Sequence, residues 1–166
     1  MFDIGSYVIY GKAGVCKILD VTNRIKGEKR DKTYYVLEPI YDIGTIYSPV
    51  DTKKLKMRNL ITKKEADNLI KKFNTIVPEK LTGFNSQQIV EHYKTIIATL
   101  DCLNIMKLIK SIYCKKKQIE KDRRKFGEID RRYMEQAEDL LYGEFAVALD
   151  IPKAEVPQYI AAHVNG

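Results

Sequence analysis

The run FDIGSYVIYGKAGVCKILDV at residues 2–21, answered by TYYVLEPIYDIGTIYSPVD at residues 33–51, decides the fold class of this chain. Ser6 to Tyr10 is rich in aromatic and β-branched residues, which suit a half-buried pleated surface, and Gly11 cuts the run off. Gly11-Lys12-Ala13-Gly14 supplies two residues free to take positive φ before Val15 to Val21 resumes an extended pattern, so the pair reads as a hairpin. The polar span from Thr22 to Lys32, with Gly27 near its middle, suits a longer turn. Tyr34 to Leu37 and Thr45 to Tyr47 flank Pro39 and Gly44 and complete four or five short strands. A stretch of about fifty residues divided so finely is most economically a small SH3-like or Tudor-like β-barrel.

Beyond the strands the periodicity changes from two to 3.6. Asp51-Thr52 ahead of Lys53 to Met57 can cap a short basic turn, and Thr62-Lys63-Lys64-Glu65 is a capping-box pattern before Ala66, Leu69, Ile70 and Phe73. That helix is expected to close the first domain at residues 1–73. Residues 74–85, with Pro78 and Gly83, break the periodicity and read as a linker. Residues 86–166 then carry three apolar stripes. Ile89, Val90, Tyr93, Ile96, Ile97 and Leu100 mark a helix capped by Asn85 or Ser86, and Ile105, Leu108, Ile109, Ile112 and Tyr113 mark the next, entered through Asp101 or Asn104. Tyr133, Ala137, Leu140, Leu141, Phe145 and Ala148 mark a third over 129–149, and Pro152 opens a short last helix. Only mutual packing can bury these stripes, so the expected fold is α+β: a small N-terminal barrel followed by an all-α helical domain.

Charge and chemistry narrow the function. The 166-residue chain carries a net charge of +7, which favours an acidic partner but does not by itself separate nucleic acid from an acidic protein face. Residues 115–132 concentrate it: nine Lys or Arg (Lys115, Lys116, Lys117, Lys121, Arg123, Arg124, Lys125, Arg131, Arg132) stand against four acids, a local excess of five. A solvated helix face is the alternative explanation of such a run. Cys16, Cys102 and Cys114 have no paired spacing and read as idle thiols, while His92 and His163 lie far apart and outside any metal-binding pattern. Gly11-Lys12-Ala13-Gly14 lacks the spacing of a phosphate-binding loop. No nucleophile, base or metal cluster is assembled, so the chain is read as a non-enzyme with no cofactor. It has no membrane-length apolar run and no leader pattern, and a cytoplasmic monomer is expected.

With these elements in order, Phe2 to Tyr10 through Gly14-Val15 resembles the opening of the CarD family of bacterial transcription regulators, as do Tyr34 to Leu37 and Thr45 to Asp51. Arg131-Arg132-Tyr133-Met134, Ala137 and Leu140 to Leu149 resemble that family's helical-domain signature. The resemblance implies an N-terminal RNA-polymerase-interacting domain, shared with transcription-repair coupling factors, that docks on the polymerase β subunit. It implies also a helical domain on promoter DNA at the edge of the opening bubble, and hence a place on the nucleoid. The polymerase contact would fall on Arg24, Ile46, Tyr47, Ser48 and Pro49.

The sequence departs from that family in three places. Tyr10-Gly11-Lys12-Ala13-Gly14 keeps the bend of the family's Tyr-Pro-x-His-Gly turn without its Pro and His. Tyr47 stands where relatives can have arginine, which replaces a charged contact with an aromatic or edge-strand one. The chain has no Trp for the wedge that relatives place in the minor groove. Phe84 is the nearest substitute, with a hydrophobic staple against Ile89 or Val90 as its other reading. DNA contact is then expected from Phe84, Lys115, Lys116, Lys117, Arg123, Arg124, Lys125, Arg131 and Arg132, mainly with the phosphate backbone. Glu138 and Asp139 weaken any basic surface on their own turn. A protein-only Tudor-like adaptor without DNA binding is the competing reading.

Overall fold

A computed structural model describes residues 2–23, 27, 32–51 and 57–165. Five strands come first: β1 (Tyr7–Tyr10), β2 (Gly14–Thr22), β3 (Tyr34–Pro39), β4 (Ile46–Pro49) and β5 (Met57–Asn59). They form one antiparallel sheet in the order β4-β3-β2-β1-β5. A single 3-10 turn, Gly11–Ala13, joins β1 to β2, and Gly14 leaves it at φ 68°, a conformation glycine takes without steric cost. The turn expected at 22–32 and the basic turn after Asp51 fall largely outside the described residues.

The strand count was expected to close into a barrel. Among the described residues β4 and β5 instead remain the two edges of an open sheet, because closure requires a pairing between edge strands that is not present. One face is sealed by side chains. Val8, Cys16, Ile18, Tyr35 and Leu37 are almost fully buried there, with Phe2, Tyr10, Val21, Ile46, Val50 and Met57 packed around them. Phe2 is fastened twice, its backbone N–H donating to the Tyr35 hydroxyl at 3.1 Å and its ring meeting that of Tyr35 edge-on at 6.0 Å. A bulge between Ile18 and Asp20 shifts the register by one residue and leaves Leu19 exposed, which keeps Ile18 and Val21 on the sealed face.

Five helices follow: α1 (Lys63–Lys72), α2 (Ser86–Ala98), α3 (Cys102–Lys121), α4 (Glu128–Leu149) and α5 (Val156–His163). The capping box of α1 forms as its sequence indicates: Glu65 N–H donates to Thr62 Oγ1 at 3.1 Å and Thr62 N–H donates to Glu65 Oε2 at 3.3 Å. Asn85 caps α2 through Gln88, and Asp101 caps α3 through Asn104. Pro152 precedes a 3-10 turn at Lys153–Glu155, so α5 begins later than that proline suggests.

The chain divides at residue 61, and α1 belongs to the second unit, 62–166. The helix expected to close the first domain packs on α4 and α5 instead, with Ala66 and Ile70 fully buried and Asp67 accepting a hydrogen bond from the Tyr159 hydroxyl at 2.6 Å. The segment expected as a linker at 74–85 is fastened to the same unit. Leu81 is buried, Glu79 N–H donates to Ser111 Oγ at 2.8 Å, and Lys110 Nζ donates to the Asn74 carbonyl at 3.5 Å. Pro and Gly there end a helix without freeing the chain.

Three helices end on a non-glycine residue at left-handed φ: Leu100 after α2 (54°), Arg123 after α3 (57°) and Asp150 after α4 (55°). Such a residue costs roughly 1–2 kcal/mol. After α3 and α4 the chain closes with a bond from the next N–H back five residues, Arg124 to the Ile119 carbonyl and Ile151 to the Ala146 carbonyl. Burial of Leu100 offsets its strain, and aspartate tolerates the region at position 150.

Candidate interaction surfaces

On the sheet, the pleat sorts the residues expected at a protein contact. Tyr47 lies opposite Val36, which lies opposite Asp20, and this row is on the face away from the core cluster, with Tyr47 half-exposed. Ser48, one residue on, lies opposite Tyr35 and is 1% exposed, and its hydroxyl has no hydrogen-bond partner among the described residues. Ile46 packs against the core cluster and Pro49 is partly buried. Side chains on β4 that face outward are therefore those of Tyr47 and Pro49, because alternation puts Ile46 and Ser48 on the other face. Arg24 lies outside the described residues. As an edge strand, β4 also carries a backbone rim that no described strand pairs with.

The connection from β3 to β4 was not singled out from the sequence. It exposes Ile40, Tyr41 and Ile43, the last 99% exposed at a tip where Asp42 Oδ1 accepts the Ile43 N–H at 2.8 Å. The available signal was apolar residues on both sides of Asp42 and just before Gly44.

In the helical unit the basic residues fall into three groups. Lys115 is tied down: its Nζ lies 2.9 Å from Asp130 Oδ2, while Asp130 Oδ1 accepts the Tyr93 hydroxyl at 2.6 Å. Burial, then the Asp130 hydrogen bond, push the Tyr93 phenol far above its ordinary value. Arg131 is held by Glu128 and Glu135, the latter at 2.8 Å, and its hydrogen bond keeps the Glu128 carboxyl below the usual range. Arg124 lies 3.5 Å from Asp122. A second group covers aromatic rings: Lys116 over Phe126 at 5.5 Å, Lys117 over Tyr113 at 5.3 Å and Arg132 over Tyr133 at 5.1 Å. Lys121, Arg123 and Lys125 are exposed and have no ion pair among the described residues.

Phe84 is 39% exposed and stacks on His92 at 5.1 Å with the rings 20° apart. Glu79 Oε2 lies 3.0 Å from His92 Nε2 and orients that imidazole. His163, at the other end of the chain, stacks on Tyr159 at 4.0 Å and donates from Nδ1 to its carbonyl at 2.8 Å. Both histidines are thus held by neighbours.

One turn of α4 is acidic. Burial, then the charges of Asp139 and Glu135, push the Glu138 carboxyl up against the opposing pull of Lys116. The Tyr142 phenol beside it rises to about 12 through burial and the Glu138 charge. Positive potential therefore gathers on the turn after α3 and not along α4. No helix of the described residues is long and apolar enough to cross a membrane.

Comparison with known proteins adds one match. No curated protein matches the chain. Residues 2–61, the same span that folds as the sheet unit, match the family described as the CarD-like/TRCF RID domain. The open five-stranded sheet with its exposed β4 edge is thus the part of this chain that is similar to the CarD-like/TRCF RID domain.

Proposed function

We propose that this protein is a non-enzymatic transcription regulator that holds the RNA polymerase β subunit through its sheet unit and promoter DNA through its helical unit. The observation that carries the reading is the match of residues 2–61 to an RNA-polymerase-interacting domain family. Tyr47 supplies an aromatic anchor, and β4 a backbone rim that no described strand pairs with, the two features that strand addition to a partner sheet uses. Arg24, outside the described residues, adds a charge to the same contact in this reading, while Ile46 and Ser48 shape β4 from beneath.

The helical unit supplies backbone contact with little base reading, since lysine and arginine on phosphates fix position and not sequence. Weak, salt-sensitive contacts of this kind gain from tethering, because attachment to polymerase raises the local concentration of DNA. Binding the opened promoter more tightly than the closed one then shifts the opening equilibrium, with Phe84 as a minor-groove wedge. One copy of the chain suffices, and no cofactor takes part.

A protein-only adaptor is favoured by one observation: Lys115, Arg124 and Arg131 already hold acidic partners inside the chain, which leaves less charge for DNA. Capture by an immobilised β-subunit lobe, combined with a salt-titrated mobility shift on a forked promoter fragment, separates the two. The regulator gives capture together with a DNA complex lost as salt rises. Capture without any DNA complex selects the adaptor, and failure of capture removes both.

A further inference from the structure

We propose that Phe84, His92 and Glu79 form a protonation-dependent clasp at the entry of α2: a charged imidazole holds the Phe84 ring down on the helix, and a neutral one releases it. The clasp goes beyond the function proposed above, and only its consequence for a Phe84 wedge rests on that reading.

The first observation is where the ring sits. A residue ahead of an N-cap usually packs against the fourth residue of the helix, which here is the buried Ile89. The Phe84 ring is found one turn further along, stacked on His92 with centroids 5.1 Å apart. An apolar staple holds at every pH, whereas this one ends on the side-chain type whose charge changes between about pH 5 and 8. The stack leaves Phe84 39% exposed, and Gly83 before it, at φ 84°, has open space where a side chain would stand. The chain just ahead of the ring is unencumbered.

The second observation is the pair of contacts on one imidazole. Glu79 Oε2 lies 3.0 Å from Nε2 at its edge, while Phe84 covers its face. Protonation strengthens both: the edge contact becomes an ion pair, and the face contact becomes a cation over a π-system. Loss of that proton weakens both, so a single titration decides them together. At 26% exposure the imidazole is within reach of solvent protons. On the elements around it the neighbouring charges are engaged elsewhere. Glu91 of α2 lies 4.0 Å from Lys94, and Lys110 of α3 donates to the Phe73 and Asn74 carbonyls. Tyr93, whose ring is 6.3 Å from that of His92, shares Asp130 of α4 with Lys115 of α3. Lys80, next to Glu79, is exposed. Glu79 is thus the charge that answers a proton on His92. For a wedge, the consequence is a ring more available above the histidine range than below it.

The chain has no Trp, so Phe84→Trp places a single emitter at the clasp, read by acrylamide quenching of the full chain without DNA. The quenching slope is expected to be about twofold steeper near pH 8.5 than near pH 5.5, on either side of the histidine range. Adding His92→Gln is expected to give the steep slope at both pH values, and adding Glu79→Gln to shrink the difference. The unmodified chain supplies a second readout by NMR. Its Phe84 ring protons, shifted upfield by the stack at the lower pH, are expected to move toward unstacked positions at the higher. Ring protons that stay in place over this range, or a pH-dependent slope that survives His92→Gln, would overturn the clasp. With DNA absent, either result leaves the wedge reading to its own test.

Discussion

The Tyr93 hydroxyl donates to Asp130 at 2.6 Å, joining α2 to the first turn of α4, and Lys115 of α3 reaches the same carboxylate at 2.9 Å. Three helices meet on one buried carboxylate, which accepts from both partners. Removing either partner is costly. Tyr93→Phe is expected to lose about 1.5–3 kcal/mol, a hydrogen bond to a charged acceptor. Lys115→Met is expected to lose about 2–3 kcal/mol, the low side of a broken buried pair because Lys115 is 28% exposed. A urea double-mutant cycle should give a coupling above about 0.5 kcal/mol, and additive losses would show that the two contacts act independently.

Ser48 and Tyr47 are neighbours on β4 with opposite fates. The Ser48 hydroxyl is buried without a partner among the described residues, so Ser48→Ala is expected to leave the sheet unit as stable or up to about 2 kcal/mol more stable. Tyr47→Ala is expected to change melting little and to weaken capture by the polymerase β-subunit lobe. Loss of capture in the serine variant with retention in the tyrosine variant would place the contact on the wrong face.

The assignment of α1 to the helical unit predicts the behaviour of fragments. A fragment of residues 62–166 keeps Ala66 and Ile70 against α4 and α5, while one of residues 86–166 lacks them. The longer is expected to be more stable by at least about 3 kcal/mol, the scale of losing one buried isoleucine and its surroundings. Equal urea midpoints would mean that α1 contributes nothing to the unit.

Glu138 sets a pH dependence. Burial and the charges of Asp139 and Glu135 raise its carboxyl above the ordinary value, so the folded protein binds this proton more tightly than the unfolded chain. Its contribution is full below the unfolded pKa and is lost as pH rises through the folded one. Glu138→Gln is therefore expected to melt higher than the wild type at about pH 7 and like it at about pH 3.5, below the ordinary glutamate value. A gap that is the same at both pH values would show that the charge of Glu138 is not responsible.

The thiols differ in reach. Cys16 and Cys102 are buried, and burial pushes the Cys16 thiol up to about 11, while Cys114 is exposed. A disulfide exchange reagent at about pH 8 is expected to label Cys114 rapidly and the other two only on denaturation. Rapid labelling of all three in the native protein would show that the sheet and the start of α3 open readily.

Local chemistry made much of this molecule legible. The alternation of Tyr7 to Tyr10 and Val15 to Val21, the capping box at Thr62, the caps at Asn85 and Asp101 and the stripes of α2 to α4 each lie within a few neighbouring residues, where backbone preference and side-chain spacing act directly. They determined an α+β chain of strands followed by helices. Tertiary structure alone decided that the sheet stays open, that α1 turns to α4 and α5, that residues 74–85 are bound down, and that Ser48 points inward while Tyr47 points out. It also divided the basic residues, since whether a lysine is available depends on an acid that can be distant in the chain: Lys115 is committed by Asp130, which Tyr93 holds from 37 residues away. Such pairings arise only when separate elements meet, because charge and periodicity say what a residue can bind and not which partner the fold brings to it.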